Sequence, residues 1–491
     1  MANPAAPAPA TPRSDAPARW PALRCLGALI LLQASGSIIN ATIYASMADF
    51  FAIGREIATF ANAGAFVLLA FVALRRPSLL NARALTASAS IAITAGVMCL
   101  GAGIVANNSL LTLAGLLCRA MASVWLTGLF TIALSTLPTS RSVLLVAGGG
   151  TVLSSAIFAL IPIGWPTEAA CAALALCILV SLALVWGLAE PPLASIRQSG
   201  ATALRDFKGF ASFVPLLLCV FLIATASGYA IAFNQQDNAP LVTLASDVIV
   251  AVAFVMVVID KSQKSEDRLF SLSVLLVVAG YLVAPYEIAS AEGTANSLLR
   301  AGRDCFYLLL WILLAFTGRR NLFMLLPMVG FVRAASSLGT DAGAVVGHAT
   351  NQLAAGNPHL AGVFASIMAF CFVAFLWLGF RHFSFTDAVS EVRLITPPEI
   401  EQIGSHIDAA CRFLGKQHGL TPRETEILIL LARGRDGKFI AEKYVLSYQT
   451  VKTHIKHLYA KLGVHSRQEL INLTDQTIAS AAFRHRTERN S

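Results

Sequence analysis

The stretch Thr421–Leu470, TPRETEILILLARGRDGKFIAEKYVLSYQTVKTHIKHLYAKLGVHSRQEL, reads as four short helices with their own punctuation. Thr421-Pro422-Arg423-Glu424 is a capping box: the threonine accepts an orphan amide, the proline suits the first helical position, and the glutamate reaches back. Ile427, Leu428, Leu430 and Leu431 supply an apolar face, and Gly434 fits a C-terminal stop. A second short helix is predicted over 437–444 with Ile440 and Ala441 inward, followed by a tight turn at Val445-Leu446. Ser447 caps a third helix over 448–462 that ends at Gly463. Ser466-Arg467-Gln468-Glu469 is another capping box and opens the fourth.

The third helix carries the chemistry. Thr450, Lys452, Thr453, Lys456, His457 and Lys461 give it a basic, hydrogen-bonding surface, while Val451, Ile455 and Leu458 form the opposite, buried face. A short helix, a tight turn and a basic second helix make a helix-turn-helix, whose second helix enters the major groove. Charge alone would fit a solvated amphipathic helix in any small bundle.

The motif decides between the two. Leu420-Thr421-Pro422-Arg423-Glu424, Gly434, Ile440-Ala441, Ser447, Thr450-Val451-Lys452, His454, Lys461-Leu462-Gly463-Val464 and Arg467 together resemble the DNA-binding domain of LuxR-type transcriptional regulators. The resemblance covers 416–480 of the 491 residues and departs from the family at Gly437 and Phe439, positions that are often polar there. It implies double-stranded DNA as partner, with Lys452, Thr453 and Lys456 at base edges. Thr450, His457 and Lys461 are better placed for phosphates, which position the domain without specifying sequence. It also implies a homodimer on DNA, with Leu470, Leu473 and Ile478 of the fourth helix as one candidate surface.

Outward from this stretch the composition changes class. The chain is 56% hydrophobic and only 13% charged, against roughly 25% charged in a soluble globular protein. The net charge of +9 suits nucleic acid, but membrane proteins also gather Lys and Arg in cytoplasmic loops. Residues 1–20, rich in Ala and Pro, read as a disordered tail. A signal peptide does not fit, because the next apolar stretch is too long and carries polar groups over 33–42. A membrane domain over 21–383 then holds twelve apolar segments: 24–48, 55–74, 83–105, 109–136, 142–162, 167–189, 211–233, 240–260, 269–290, 296–317, 321–347 and 360–381. Each is near the roughly 20 residues a bilayer core requires. The eleventh, with Ser336-Ser337-Leu338-Gly339-Thr340-Asp341, is expected to break or kink.

Loop charges orient the segments. Arg24, Arg75, Arg76, Arg83, Arg141, Arg197, Arg205, Lys208, Lys261, Lys264, Arg268, Arg319, Arg320 and Arg381 fall on one side; the alternate loops carry Asp49, Asp237, Glu287 and Glu292, with Arg55 as the exception. The positive-inside rule therefore predicts both termini in the cytoplasm of a bacterial cell, with the spans in the inner membrane. The longest loop, 190–210, separates six segments from six, a layout that resembles the major facilitator superfamily of transporters. That family's Gly-x-x-x-Asp-Arg signature is absent, since Leu74-Arg75-Arg76-Pro77-Ser78 stands in its place, which weighs against transport.

Charges within the segments are costly when unpaired, by several kcal/mol. They are Arg119 in segment four, Asp247 in eight, Arg300, Arg303 and Asp304 in ten, and Arg333 in eleven, with Tyr307 on the Arg300–Asp304 face. Two readings compete for them. One is structural, with Arg300 and Asp304 neutralising each other as an i, i+4 pair. The other is a cationic cavity that binds an anionic or phenolic small molecule. The nine cysteines show no metal-ligand or Cys-x-x-Cys spacing, and no phosphate-binding loop, nucleophile elbow or receiver domain occurs, so neither a cofactor nor an enzyme activity is expected. The linker, 384–415, carries a capping box at Thr396-Pro397-Pro398-Glu399. Its apolar stripe, Ile400, Ile403, Ile407, Cys411 and Leu414, predicts a helix packed on the DNA-binding domain or on a second copy. Residues 481–491 form a frayed basic tail.

The expected protein is all-α: a twelve-span, six-plus-six bundle followed by a small helix-turn-helix domain. The function expected is that of a one-component regulator in which the membrane domain senses a small molecule. Two alternatives stand beside it: a major-facilitator-type secondary transporter with an accessory DNA-binding domain, and a passive membrane anchor.

Overall fold

The computed structural model describes residues 16–159, 165–199, 214–233, 244–259, 265–287, 293–380, 408, 410–432, 440–441, 444, 447–466, 469–470, 473–474 and 477. The chain divides into two compact units, Met1–Ile395 and Thr396–Ser491.

Twelve long helices of the first unit follow the twelve apolar segments among the described residues. They are α1 (Ala16–Ile38, continued by a π-helical turn Ile39–Ile43 and by Tyr44–Met47), α2 (Gly54–Arg75), α3 (Ala82–Val105), α4 (Ser109–Ser135), α5 (Ser140–Ala159) and α6 (Thr167–Ser199). The second six are α7 (Val214–Ala232), α8 (Leu244–Ile259), α9 (Ser265–Val283), α10 (Thr294–Arg320), α11 (Leu322–Gly356) and α12 (Pro358–Phe380). Eight of the described helices are long and apolar enough to cross a membrane, and α5, α8 and α12 hold shorter apolar stretches. Helices are what an apolar chain of this kind must form, because lipid offers backbone amides no partner.

Contacts divide the helices six and six. In the first half α1 packs on α5 and α6, α3 on α4 and α6, and α2 on α4. In the second, α7 packs on α10 and α11, α9 on α10 and α12, and α8 on α10. The halves meet where α2 lies against α11, α5 against α8, and α10 against α4 and α5.

The closest approach joins α7 to α11. A Cβ added at Gly228 would collide with the Thr340 carbonyl oxygen, and one at Gly343 with that of Thr225. Gly339, Gly343 and Gly347 recur every four residues and so share one face of α11.

Three local readings differ from the structure. First, α11 runs unbroken for 35 residues through Ser336–Asp341. Its hydroxyls are satisfied without breaking the helix: Thr340 Oγ1 donates to Ser336 O at 2.9 Å, and Ser336 Oγ meets Tyr307 Oη at 2.5 Å. The irregularity sits in α1 instead, at the π-helical turn, where Asn40 Nδ2 donates to Gly36 O at 2.7 Å. Second, α6 continues past Pro191 and Pro192 to Ser199, because Leu193 and Ile196 are buried in the bundle and packing overrides the prolines. Third, α1 begins at Ala16, inside the expected tail; alanine in that Ala/Pro-rich stretch is also the strongest helix former. The loop residues Arg205, Lys208, Lys261, Lys264, Asp237, Glu292 and Arg381 lie outside the described residues.

In the second unit, 410–417 is helical and is followed by α13 (Pro422–Ala432) and α14 (Tyr448–Leu462). Cys411, Leu414, Ile427, Leu428, Ile440, Val451, Leu458 and Leu470 form one buried core. The linker stripe therefore packs into its own domain at Cys411 and Leu414. Leu470, considered above as a dimer surface, is likewise enclosed. The residues Thr396–Glu399, Ile400, Ile403, Ile407, Gly434, Val445, Leu446, Arg467 and Ile478 lie outside the described residues.

The α7–α11 contact yields a test. Gly343→Ala should destabilise the solubilised chain by about 2–3 kcal/mol through overpacking. Gly64→Ala, whose Cβ would meet nothing within 4 Å, is the control. Thermal unfolding in detergent reads the difference; equal melting of the two variants would refute the tight contact.

Candidate functional site

The recognition helix, α14, is built from both ends. Ser447 Oγ accepts from Thr450 N at 3.1 Å, and Gly463 takes a left-handed conformation at φ 68° that stops the helix. Val451, Leu458 and Leu462 are buried, which turns the opposite face outward. That face exposes Gln449, Lys452, Thr453, Lys456, His457 and Ala460. Lys452 and Lys456 make no ion pair among the described residues. Gln449 was missed because a lone glutamine carries no charge signal. Two expected DNA contacts have internal roles. Thr450 shares its hydroxyl with Ser447 Oγ at 2.8 Å. Lys461 points back into its domain, with Nζ 2.7 Å from Glu424 Oε2 and 3.4 Å from Gly419 O.

Glu424 is the hub of this arrangement. Its Oε2 accepts from Thr421 N at 2.8 Å, and its own N donates to Thr421 Oγ1 at 3.2 Å, completing the capping box. The Lys461 ammonium, and then the Thr421 donors, hold its carboxyl well below the ordinary 4.5, at about 2. One side chain thus closes the start of α13 and clips it to the end of α14. Arg423 adds a second tie, stacked 3.5 Å from the Tyr444 ring centre and 2.8 Å from Glu426 Oε2. The second capping box also forms: Glu469 N donates to Ser466 Oγ at 3.2 Å, and Glu469 Oε2 accepts from His465 N at 2.8 Å. These bonds lower the Glu469 pKa, the His465 amide most.

The first unit holds a partly open cavity of about 390 Å³ between its halves. Six of the seven intramembrane candidates line it: Arg119, Arg300, Arg303, Asp304, Tyr307 and Arg333. Asp247 does not. It sits in the first turn of α8, where helix amides favour a carboxylate, and accepts from Ser246 Oγ at 3.4 Å. Asp304 pairs chiefly with its neighbour Arg303, at 2.7 Å, rather than with Arg300, at 3.9 Å. Arg303 also donates to Ser227 Oγ on α7 at 3.2 Å. Arg333 lies within 5.9 Å of the ring centres of Phe66, Tyr307 and Trp311, a cation under three aromatic faces. Arg55 and Asp341 complete the charged lining. Both stood in the sequence as an anomalous loop charge and a supposed kink, because separation along the chain hid their convergence.

Residues 418–474 match the sequence profile described as bacterial regulatory proteins, luxR family. Over 52 residues the chain is 48% identical to the oxygen regulatory protein NreC of Staphylococcus aureus (strain JH9), a stretch that is 11% of this chain and 24% of NreC. Over 53 residues it is 43% identical to the putative HTH-type transcriptional regulator Rv0890c of Mycobacterium tuberculosis (strain ATCC 25618 / H37Rv), 11% of this chain and 6% of that protein. The chain therefore spans only a small part of each relative. Among solved structures, the human organic anion transporter MFSD10 (TETRAN) aligns with TM-score 0.48 and 12% identity, over 74% of this chain and 100% of that one. The Escherichia coli fucose:proton symporter FucP aligns with TM-score 0.48 and 14% identity, over 73% and 98%. Residues 418–474 form a LuxR-type helix-turn-helix domain. This domain is joined in one chain to a helical unit in which eight described helices are long and apolar enough to cross a membrane.

The depressed Glu424 carboxylate stabilises the fold fully above pH 4.5, and that contribution drains away as pH falls towards about 2. Glu424→Gln in the 396–491 unit should cost about 1–3 kcal/mol at neutral pH in urea denaturation followed by circular dichroism. The gap to the parent should narrow through that acid window; a gap independent of pH would show that the charge is not the tie.

Proposed function

We propose that this protein is a membrane-embedded one-component transcriptional regulator. Its twelve helices cross the bacterial inner membrane with both termini in the cytoplasm, and a small molecule bound in the cavity alters DNA binding by the LuxR-type domain, which acts as a homodimer. The observation that carries this reading is the joining, in one chain, of a DNA-binding domain to a cavity lined by arginines from both halves of a bundle. A mere anchor would not maintain several intramembrane charges around one cavity. A ligand shifts such a regulator only by binding one conformation better than another.

Within the DNA-binding domain, Lys452, Thr453 and Lys456 are assigned to base edges and Thr450 and His457 to phosphates. Lys461 is assigned to the Glu424 clip. Lys452→Ala should weaken specific binding by about 1–3 kcal/mol and relax preference at one base pair. A selection of bound sequences with the purified chain measures both; unchanged preference would remove Lys452 from the reading set.

Orientation is tested by reporter fusions at Gly200 and Ser491, both expected to signal from the cytoplasm. A C-terminus on the other side would end the regulatory reading. Coupling is tested with Arg119→Ala, which should abolish ligand-dependent change in promoter output while the ligand-free DNA affinity of the full chain stays at the parent value. Ion-driven uptake at transporter rates, lost in Arg119→Ala, would instead make transport the main activity.

A further inference from the structure

The cavity's unused hydrogen-bonding groups and its position along the helices specify what it binds and from which side. This inference rests on the sensor reading and on the orientation that loop charges give.

Five guanidinium groups line the cavity, those of Arg55, Arg119, Arg300, Arg303 and Arg333, against two carboxylates, Asp304 and Asp341. The lining therefore carries a cationic excess, with Arg55 paired to Glu56 at 3.8 Å just outside it. Arg303 is taken by Asp304 and Ser227, and Arg333 by three rings. Arg119 on α4 and Arg300 on α10 each keep a buried Nε that makes no hydrogen bond in the protein, Arg300 Nε lying 3.9 Å from Asp304 Oδ2, beyond hydrogen-bond reach. They come from opposite halves of the bundle. An anion with two or more oxygens would satisfy both.

Buried acceptors are also unused. Asn62 Oδ1 and Asn296 Oδ1 have no donor, although the amide nitrogen of each is engaged, with Ser337 Oγ at 3.3 Å and Phe233 O at 2.9 Å. These acceptors ask for hydroxyl or amide donors on the ligand. The rest of the lining is largely hydroxyl and amide. Two of its three aromatic side chains are engaged: the Tyr307 hydroxyl meets Ser336 Oγ at 2.5 Å, and Arg333 covers the Tyr307 and Trp311 rings, which leaves Tyr44. This weighs against the phenolic alternative.

The cavity also lies towards one end of the bundle. Lining positions fall at 55–62 on α2, whereas Arg75 ends that helix about 20–30 Å away by helical rise. On α10 they fall at 296–311, ahead of Arg319 and Arg320, and on α11 at 333–344, well after its start beside those arginines. The Arg-rich end is packed shut. Val124–Ser135 of α4 are buried throughout, as are Leu308–Ala315 of α10 and Phe323–Gly330 of α11. Across the halves, Arg319 Nη2 donates to Leu137 O and, at 2.9 Å, to Thr139 O.

We propose that the cavity is a receptor site for a small hydroxylated organic anion, one carboxylate or phosphate with several hydroxyls, that arrives from the non-cytoplasmic side of the membrane.

The test uses the full chain in right-side-out and inverted membrane vesicles, with labelled gluconate and glycerol 3-phosphate as probes and sorbitol and salicylate as controls. Saturable binding of at least one hydroxylated anion is expected in right-side-out vesicles only, with the controls at least about 10-fold weaker. Arg119→Gln and Arg300→Gln should each lose about 10-fold. Arg119→Lys, which keeps the charge, should lose less and shows that the loss is not misfolding. Salicylate or sorbitol binding as well as the probes, no binding of either probe, or arginine variants that bind normally would overturn the assigned chemistry. Equal binding in inverted vesicles would overturn the sidedness. Probe binding that leaves DNA affinity unchanged would support the site while counting against the sensor reading, so the two failures are told apart.

Discussion

A guanidinium group at bilayer depth has to be turned away from lipid, and much of the membrane unit follows from that demand. Arg119, Arg300, Arg303 and Arg333 set the rotation of α4, α10 and α11, since each must face the space between the halves. Once there, they act as ties. Arg303 joins Asp304 on its own helix to Ser227 on α7, and Arg333 sits under rings from α2 and α10. The glycine face of α11 holds α7 at backbone contact, so the cavity walls are set by rigid helices rather than by loops.

The same residues mark where the two halves meet. Arg119 and Arg300 come from opposite halves and have donors to spare. Both line one cavity, so its wall is built jointly by the two halves. The Arg319 contacts to the carbonyls of Leu137 and Thr139 close the opposite end and hold the halves together there.

In the DNA-binding unit a single carboxylate has a comparable role. Glu424 caps α13 and receives Lys461 from the end of α14, so the recognition helix is held at its C-terminus by charge and along its length by Val451, Leu458 and Leu462. Its N-terminal half stays free of such ties at Lys452 and Lys456, whose side chains are exposed. The clip engages the ammonium of Lys461, an exposed lysine, with Glu424 Oε2 at 2.7 Å.

The helix-turn-helix was legible residue by residue because capping boxes, stop glycines and apolar spacing are local signals. Thr421, Glu424, Ser447 and Gly463 each act within a few residues of their partners. The twelve helices were legible for the same reason, since an apolar run of sufficient length has one backbone solution in lipid. Where local signals misled, packing had the last word: α11 ran through its polar run, α6 through two prolines, and the irregular turn fell in α1. Segment content alone also named most of the charged cavity residues, because intramembrane charge is conspicuous. Only the tertiary structure decided which of them meet. It set Asp247 aside, gave Asp304 to Arg303, and brought Arg55, Asn62, Asn296 and Asp341 to bear on the cavity from distant parts of the chain. Sequence determines what each helix must bury; the neighbour that it buries against is settled only when all the helices pack together.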